Sequence, residues 1–468
     1  MANVVIIGGG PGGYEAAMVA AQLGGTVTLI EEAGVGGSAV LTDVVPSKSL
    51  IATAEVMTRV RRSRELGLTP SDPALSELQE AVRVDLAGIN RRLLGLAEAQ
   101  SRDIATSLAG QGVRIVPGRG SLLGTNRVLA TTSSGDEELP ADFILISVGT
   151  RPRELADARP DGERILNWKQ LYNLTELPER LIVVGSGVTG AEFAGAYNQL
   201  GVDVVLVSSR DQVLPSEDPD AAKVIQDVFE SSGMTIMSRS RAQSARRDGD
   251  RVILTLADGS TVGGSHLLMA VGSIPNTENL GLAEHGVALK PGGHIEVDRM
   301  SRTTALGVYA AGDCTGVFPL ASVAAMQGRI AMWHALGDAV QPLELRSIAS
   351  NVFTAPEIAT VGITQQQIDA GQLAVRTVTL PLAGNARAKM QGHYDGFVKL
   401  FCLPTTGIIV GGVVVAPGAS ELIYSVSLCV SARLTVDQAA RAFAVFPSLS
   451  GSISEAGRQL HNVNAAEL

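Results

Sequence analysis

The chain opens with Val4-Val5-Ile6-Ile7, a continuous β-branched run of the kind buried on both faces of a parallel sheet. The pattern then breaks into Gly8-Gly9-Gly10-Pro11-Gly12-Gly13, and a helical stretch follows to Leu23. A second apolar run, Val27 to Ile30, ends at Glu31. The same order returns further on. Leu181 to Val184 leads into Gly185-Ser186-Gly187-Val188-Thr189-Gly190-Ala191-Glu192, with Val204 to Val207 as the next run. A strand, glycine turn, helix and strand occurring twice predict an α/β protein with two Rossmann-like dinucleotide-binding folds.

Between the two units the periodicity is helical from about Ser49 to Gln111, with a break around Thr69 to Ala74. Strands are expected at Arg114–Val116 and Arg127–Thr131. Arg59, Arg61, Arg62 and Arg64 form a local basic cluster, read as a solvated helix face. The last third predicts an opening strand over Val352–Gly362. A hairpin of Gly396–Leu400 with Gly407–Ala416 follows, then a helix over Glu421–Ser431.

Composition narrows the classes. Hydrophobic residues make up 45% and charged residues 18%, so a large core is available; aromatics are only 4%, so Ala, Val, Leu and Ile must build it. A net charge of -10 argues against a nucleic-acid partner. No apolar run is long enough to span a bilayer, so the chain is expected not to be membrane-embedded. The three cysteines, Cys314, Cys402 and Cys429, are widely spaced and make no CxxC. They read as buried small apolar residues in a reducing compartment, and no metal site is expected. The first strand starts almost at once, leaving no room for a signal peptide, so a cytoplasmic location is expected.

The glycine turns carry the first chemistry. Gly8 allows the tight turn, Gly10 lets the backbone approach a pyrophosphate, and Gly13 permits close helix–strand packing; Glu31 is placed to bond a ribose hydroxyl. Gly185, Gly187 and Gly190 repeat the pattern, but the acid position there reads Ser208-Ser209-Arg210. Without a carboxylate, the repulsion against NADPH is gone, and two hydroxyls plus an arginine can hold a 2′-phosphate. The alternative is that all three belong to a solvated loop.

The decisive stretch is Gly36-Gly37-Ser38-Ala39-Val40-Leu41-Thr42-Asp43-Val44-Val45-Pro46-Ser47-Lys48. It resembles the redox-active segment of the flavoprotein disulfide reductases, the family of lipoamide dehydrogenase, glutathione reductase and mercuric reductase. In that family two cysteines stand where this chain has Ala39 and Val44. Further motifs follow in the family's order. They are Gly149-Thr150-Arg151-Pro152, Gly272-Ser273-Ile274-Pro275-Asn276, and Thr303 to Cys314, whose Gly312-Asp313 matches the second FAD signature.

The resemblance implies an FAD-binding domain over 1–150 and an NAD(P)-binding domain over 151–275. A returning FAD or central segment over 276–345 and an α+β interface domain for homodimerisation over 346–468 complete the expectation. It implies FAD contacts from Gly8, Gly10, Pro11, Gly13, Glu31, Gly37, Ser38, Lys48, Gly120, Gly149, Asp313 and Ala321. The nucleotide would be met by Gly185, Gly187, Gly190, Glu192, Ser208, Ser209, Arg210 and Gly272. Lys48 and Glu192 match the pair that the family places beside the flavin.

The family's C-terminal His and Glu are also replaced, by Phe446 and Gly451, with Glu455 nearby. Both thiols, the proton carrier and its orienting acid are therefore missing together. A thiolate is the nucleophile of disulfide exchange, so the resemblance implies hydride from NADPH or NADH passing through FAD to an acceptor that needs no thiol. A planar quinone meeting Ala39, Val44 and the partner subunit's Phe446 fits best, as in the family's branch of NAD(P)H quinone reductases. A soluble pyridine-nucleotide transhydrogenase and a non-catalytic FAD-bearing subunit are the alternatives.

Overall fold

The computed structural model describes residues 1–72 and 74–461. The chain forms two compact units. The first comprises Met1–Leu50, Ala87–Arg153 and Gly272–Glu344; the second comprises Ile51–Leu86, Glu154–Val271 and Leu345–Leu468.

The first unit is built on a parallel sheet in the order Val308–Ala310, Phe143–Ile146, Asn3–Ile7, Thr26–Glu31, Arg114–Pro117. Successive side chains of a strand point to opposite faces, and the two cores divide accordingly. Val4 and Ile6 join the helices Pro11–Gln22 and Ala321–Ala335 through Ala16, Ala20, Ala331 and Met332. Val5 and Ile7 join Val128, Leu139 and Leu282 on the other face. An antiparallel sheet of Arg119–Gly124, Arg127–Thr132 and Gly135–Pro140 supplies much of that second core. Only its middle strand is among the expected ones.

The second unit holds the repeat. Its parallel sheet runs Thr235–Met237, Asp203–Val207, Arg180–Val184, His266–Met269, Ile165–Asn167, with helices Val188–Gln199 and Pro219–Ser231. Its C-terminal portion is a five-stranded antiparallel sheet in the order Ala349–Val352, Glu357–Gly362, Ile409–Ala416, Phe397–Cys402, Arg376–Pro381. The helix Ala419–Ser431 packs on it through Ile423 and Val426.

Lys399, on the buried Phe397–Cys402 strand, is 2% exposed. Its ammonium donates to both Asp218 oxygens at 2.9 Å and to Asp220 at 2.6 Å. Asp218 in turn caps the Pro219–Ser231 helix by accepting from the amides of Asp220 and Ala221.

Three expectations need correction. The single strand over Val352–Gly362 is two antiparallel strands, because the turn between them contains Pro356, which has no N–H for a ladder. The helical break is longer than expected: helix Val44–Arg61 and helix Leu86–Gly110 are separated by two short 3₁₀ turns and irregular chain. The basic cluster is not simply solvated. Arg61 donates to the Asn198 carbonyl at 3.2 Å and Arg62 to the Gly392 carbonyl, while Arg64 pairs with Glu77.

Candidate active site

In the first unit the strand ends are locked together before any side chain acts. The Gly8 amide donates to the Ile30 carbonyl at 2.9 Å, and the Ser147 amide to the Ile7 carbonyl at 2.7 Å. The helix Pro11–Gln22 begins with Gly10 as its cap and has no side-chain oxygen there; the Gly13 amide turns back to the Gly10 carbonyl at 2.9 Å, and no side chain covers the helix start. A methyl group at Gly10 would meet nothing within 4 Å, whereas one at Gly13 would come 1.9 Å from the Gly8 carbonyl oxygen. Gly10 thus leaves an open cradle, and Gly13 sets the helix against the turn. Glu31 closes the loop, accepting from the Gly9 amide at 2.6 Å and the Ala33 amide at 2.7 Å.

The Gly36–Lys48 segment docks on this loop. The Gly36 amide donates to the Gly9 carbonyl at 2.8 Å, and a methyl group on Gly37 would lie 2.7 Å from the Gly10 Cα. Ser38 and Ala39 ride on the short helix Gly37–Leu41, with the Ser38 hydroxyl 2.9 Å from that of Thr42. Val44 and Lys48 share one face of the following helix at an i, i+4 spacing. Gly120 is a packing position, since a methyl there would come 2.9 Å from Ile7 Cγ2.

Asp313 enters from the edge strand Val308–Ala310. The Gly312 amide donates to the side-chain Oε1 of buried Gln327 at 2.9 Å, fixing the turn to the helix Ala321–Ala335. The Asp313 carboxyl is held above the usual carboxylate range by burial, and its hydrogen bond from Thr150 is a long 3.5 Å. Gly149 and Gly272 immediately precede the paired strands Thr150–Pro152 and Ser273–Pro275. There Asn276 donates through its amide to Gly149 and through its side chain to Val148, both at 3.0 Å.

Sequence reasoning missed Gly12, Gly328 and Gln327. A methyl on Gly328 would lie 2.0 Å from the Gly12 carbonyl oxygen, so the two helices touch backbone to backbone. The small residues Ala324, Gly328 and Ala331 on one helical stripe were the available signal.

In the second unit the turn repeats closely. The Gly185 amide donates to the Val207 carbonyl at 2.9 Å, Gly187 caps the helix Val188–Gln199, and a methyl on Gly190 would come 1.8 Å from the Gly185 carbonyl oxygen. Strand register pairs Ile7 with Ile30 and Val184 with Val207, so Ser208 occupies the place of Glu31 and Ser186 that of Gly9. The two serine hydroxyls lie 2.7 Å apart, and the Ser208 oxygen also accepts from the Arg210 amide at 3.1 Å. Ser208 is fully buried, leaving Ser209 and Arg210 at the surface. Glu192 is 3% exposed and accepts from the Phe353 amide at 2.9 Å.

Family comparison decides the identity. The model described as "Pyridine nucleotide-disulphide oxidoreductase" matches residues 2–328, and the corresponding dimerisation domain matches 348–457. The chain belongs to the pyridine nucleotide-disulphide oxidoreductase family. Members are FAD-dependent and take NAD(P)H as donor. The chain is similar to "NAD(P)H dehydrogenase (quinone)" of Mycobacterium tuberculosis H37Rv, 52% identical with 98% of this chain and 94% of that protein covered. It is similar to a dihydrolipoyl dehydrogenase of Bacillus subtilis, 32% identical with 97% of each covered. The crystal structure of LpdA from Mycobacterium tuberculosis superposes with a TM-score of 0.93 at 51% identity, covering 99% of this chain and all of that one.

The residues present fit FAD. The open cradle at Gly10, two helix N-termini without side-chain caps, and the buried, weakly bonded Asp313 carboxyl are the features a pyrophosphate and a ribityl chain require.

The chain's departures from its family are equally visible. Ala39 and Val44 are half-buried, and all three cysteines are free and buried elsewhere. Cys314 donates to the Ala311 carbonyl at 3.3 Å, and burial pushes its thiol up to about 12, so it is a packing residue. Phe446 is 86% exposed on the turn before the helix Gly451–Gln459, beside exposed Phe443 and Val445. Glu455 is engaged by Arg458 at 2.6 Å. Among the described residues no His/Cys/Asp/Glu group is arranged to hold a metal ion, and no helix is long and apolar enough to cross a membrane.

Proposed function

We propose that this chain is an FAD-dependent NAD(P)H dehydrogenase that delivers electrons to a quinone and performs no disulfide exchange. The observation that carries the reading is the pair Ala39 and Val44 at the thiol positions, in a frame whose Gly36, Gly37 and Lys48 are retained. The similarity to a mycobacterial NAD(P)H dehydrogenase (quinone) over nearly the whole chain supports it.

Bound FAD supplies the two-electron carrier between nicotinamide and acceptor. The chain's own residues do the rest. Gly10 and Gly37 would hold the backbone open for the pyrophosphate, and Asp313 would take the ribityl hydroxyls. Lys48 would supply a positive charge to the site, which would favour negative charge developing on the acceptor, as preorganised charges do. Glu192 positions the nicotinamide side, and Ser209 with Arg210 receives the 2′-phosphate of NADPH. Ala39 and Val44 keep water from the acceptor face. Phe446, exposed on its own chain, stacks on the quinone at the partner's site, worth about 0.5–1.5 kcal/mol beyond area burial. The protein acts as a homodimer in the cytoplasm. Its four segments, 1–150, 151–275, 276–345 and 346–468, serve FAD, nucleotide, FAD again and the dimer interface.

The test is an acceptor screen on FAD-loaded protein with NADPH and NADH. Turnover with naphthoquinone and none with lipoamide or oxidised glutathione is expected. Lipoamide reduction, or quinone-independent transfer to thio-NAD alone, would overturn the reading. Arg210→Ala should raise the NADPH KM by about tenfold or more relative to NADH, the scale of a charged hydrogen bond to phosphate.

A further inference from the structure

Beyond Arg210, a second arginine approaches the same surface from another strand. The chain leaving Thr235–Met237 doubles back along the Ser208–Arg210 turn. The Ser208 amide donates to the Met237 carbonyl at 2.9 Å, the Ser240 amide to the Ser208 carbonyl at 2.7 Å, and the Arg239 amide to the Arg210 carbonyl at 2.9 Å. Arg239 and Arg210 are thus neighbours through their backbones. Arg239 adopts a left-handed conformation, with φ of 53°, which glycine would hold more easily. A long cationic side chain occupies the position regardless.

That side chain is engaged. Its Nε donates to Asp211 Oδ1 at 2.5 Å, and the two side chains are 80% and 76% exposed. An ion pair this open is screened by solvent and salt and contributes little by itself. A phosphate dianion offers the guanidinium more charge and more acceptor oxygens than one carboxylate. The first fold has nothing comparable, since Ala33 and Gly34 stand at the positions of Arg210 and Asp211.

We propose that Arg239 is a second reader of the nucleotide's 2′-phosphate, and that Asp211 is the resident counter-ion which the phosphate displaces. The proposal rests on the reading of Arg210 given above. NADPH exchanges one partner of Arg239 for another, whereas NADH leaves the Arg239–Asp211 pair intact. Asp211 also repels an incoming phosphate, so it tempers the preference for NADPH that the two arginines create.

The test measures NADP⁺ and NAD⁺ affinities by calorimetric titration of FAD-loaded wild type, Arg239→Gln, Asp211→Asn, the double variant and Arg210→Gln. Arg239→Gln should weaken NADP⁺ by about fivefold to tenfold and leave NAD⁺ within about twofold. Asp211→Asn should tighten NADP⁺ several-fold with NAD⁺ unchanged, and that gain should vanish in the Arg239→Gln background. A gain that persists without Arg239, or that is equal for both nucleotides, overturns the proposal. If Arg210→Gln shifts the NADP⁺/NAD⁺ ratio and Arg239→Gln does not, the second reader is wrong and the Arg210 reading stands. If neither shifts it, both fall.

Discussion

The first dinucleotide fold closes its glycine turn with a carboxylate, and the second closes the same turn with a hydroxyl pair. Glu31 reaches the Gly9 amide at 2.6 Å; at the matching register Ser208 meets the Ser186 hydroxyl at 2.7 Å. The two positions in each fold are physically coupled. A methyl on Gly9 would lie 3.1 Å from the Glu31 Cγ, tighter than an ordinary contact, so the long acid packs closely on the bare glycine. Where the loop carries Ser186, the partner is the short Ser208. The second fold thus differs at both positions of the contact, while the two residues that follow are exposed in each fold, Glu32 and Ala33 in the first and Ser209 and Arg210 in the second.

The largest effect should come from the shared geometry rather than from the difference. Gly13→Ala and Gly190→Ala each force a methyl within 2 Å of a carbonyl oxygen, at 1.9 and 1.8 Å. Such overpacking costs about 1–3 kcal/mol where the backbone must shift. Gly13→Ala should purify with little or no flavin absorbance. Gly190→Ala should stay yellow yet lose bleaching by NADPH. Loss of colour in both would break the assignment of one cofactor to each fold.

Next in size is a transplant of the first turn into the second. Ser186→Gly with Ser208→Glu recreates the Gly9–Glu31 pair and should disfavour NADPH against NADH by about tenfold or more, the scale of one charged contact. Ser208→Glu alone should have a smaller effect, because the Ser186 side chain crowds the acid. A single change that works as well as the double would refute the coupling.

A smaller contrast lies at the start of an inner strand, where His266 occupies the register position that Phe143 holds in the first fold. Burial, aided by the Arg164 charge, lowers the His266 ring from 6.5 to about 4. Above pH 6.5 the ring is neutral whether the chain is folded or not. Between 6.5 and about 4 the unfolded chain binds a proton that the folded one refuses, so stability is lost as pH falls. His266→Phe should remove that slope, worth about 1–2 kcal/mol once solvent screening is discounted. Denaturant melts at pH 7 and pH 5 check it; an unchanged slope would place the acid sensitivity elsewhere.

The smallest effect asks whether the first fold hides any thiol chemistry. Cys314→Ala should leave quinone turnover within about twofold, and iodoacetamide should label wild-type Cys314 only after unfolding, since reaction needs the thiolate. Labelling of the native protein would contradict the packing role.

Much of this was legible in the chain because it is written in local signals. The glycine turns, the β-branched runs beside them and the Gly312-Asp313 turn each depend on residues adjacent in sequence. Other features depend on partners far away. The strands Arg119–Gly124 and Gly135–Pro140 are short and carry glycine or paired acids that mask the alternation. Arg61 and Arg62 look solvated until Asn198 and Gly392 supply their acceptors. Ser208 reads as a free phosphate ligand until the fold brings Ser186 against it. In each case a distant backbone or hydroxyl decides the role, and spacing along the chain carries no trace of it.

Lys399 has a further meaning for how the second unit comes apart. Its ammonium is shut in with Asp218, the residue that starts the Pro219–Ser231 helix, so fraying that helix strands a cation inside the C-terminal sheet. Parting one member of such a buried pair from the other costs about 3–5 kcal/mol. The helix and the Phe397–Cys402 strand therefore cannot breathe separately. Their amides should exchange with deuterium in a single step, as one cooperative unit, although Asp218 and Lys399 are 181 positions apart in sequence.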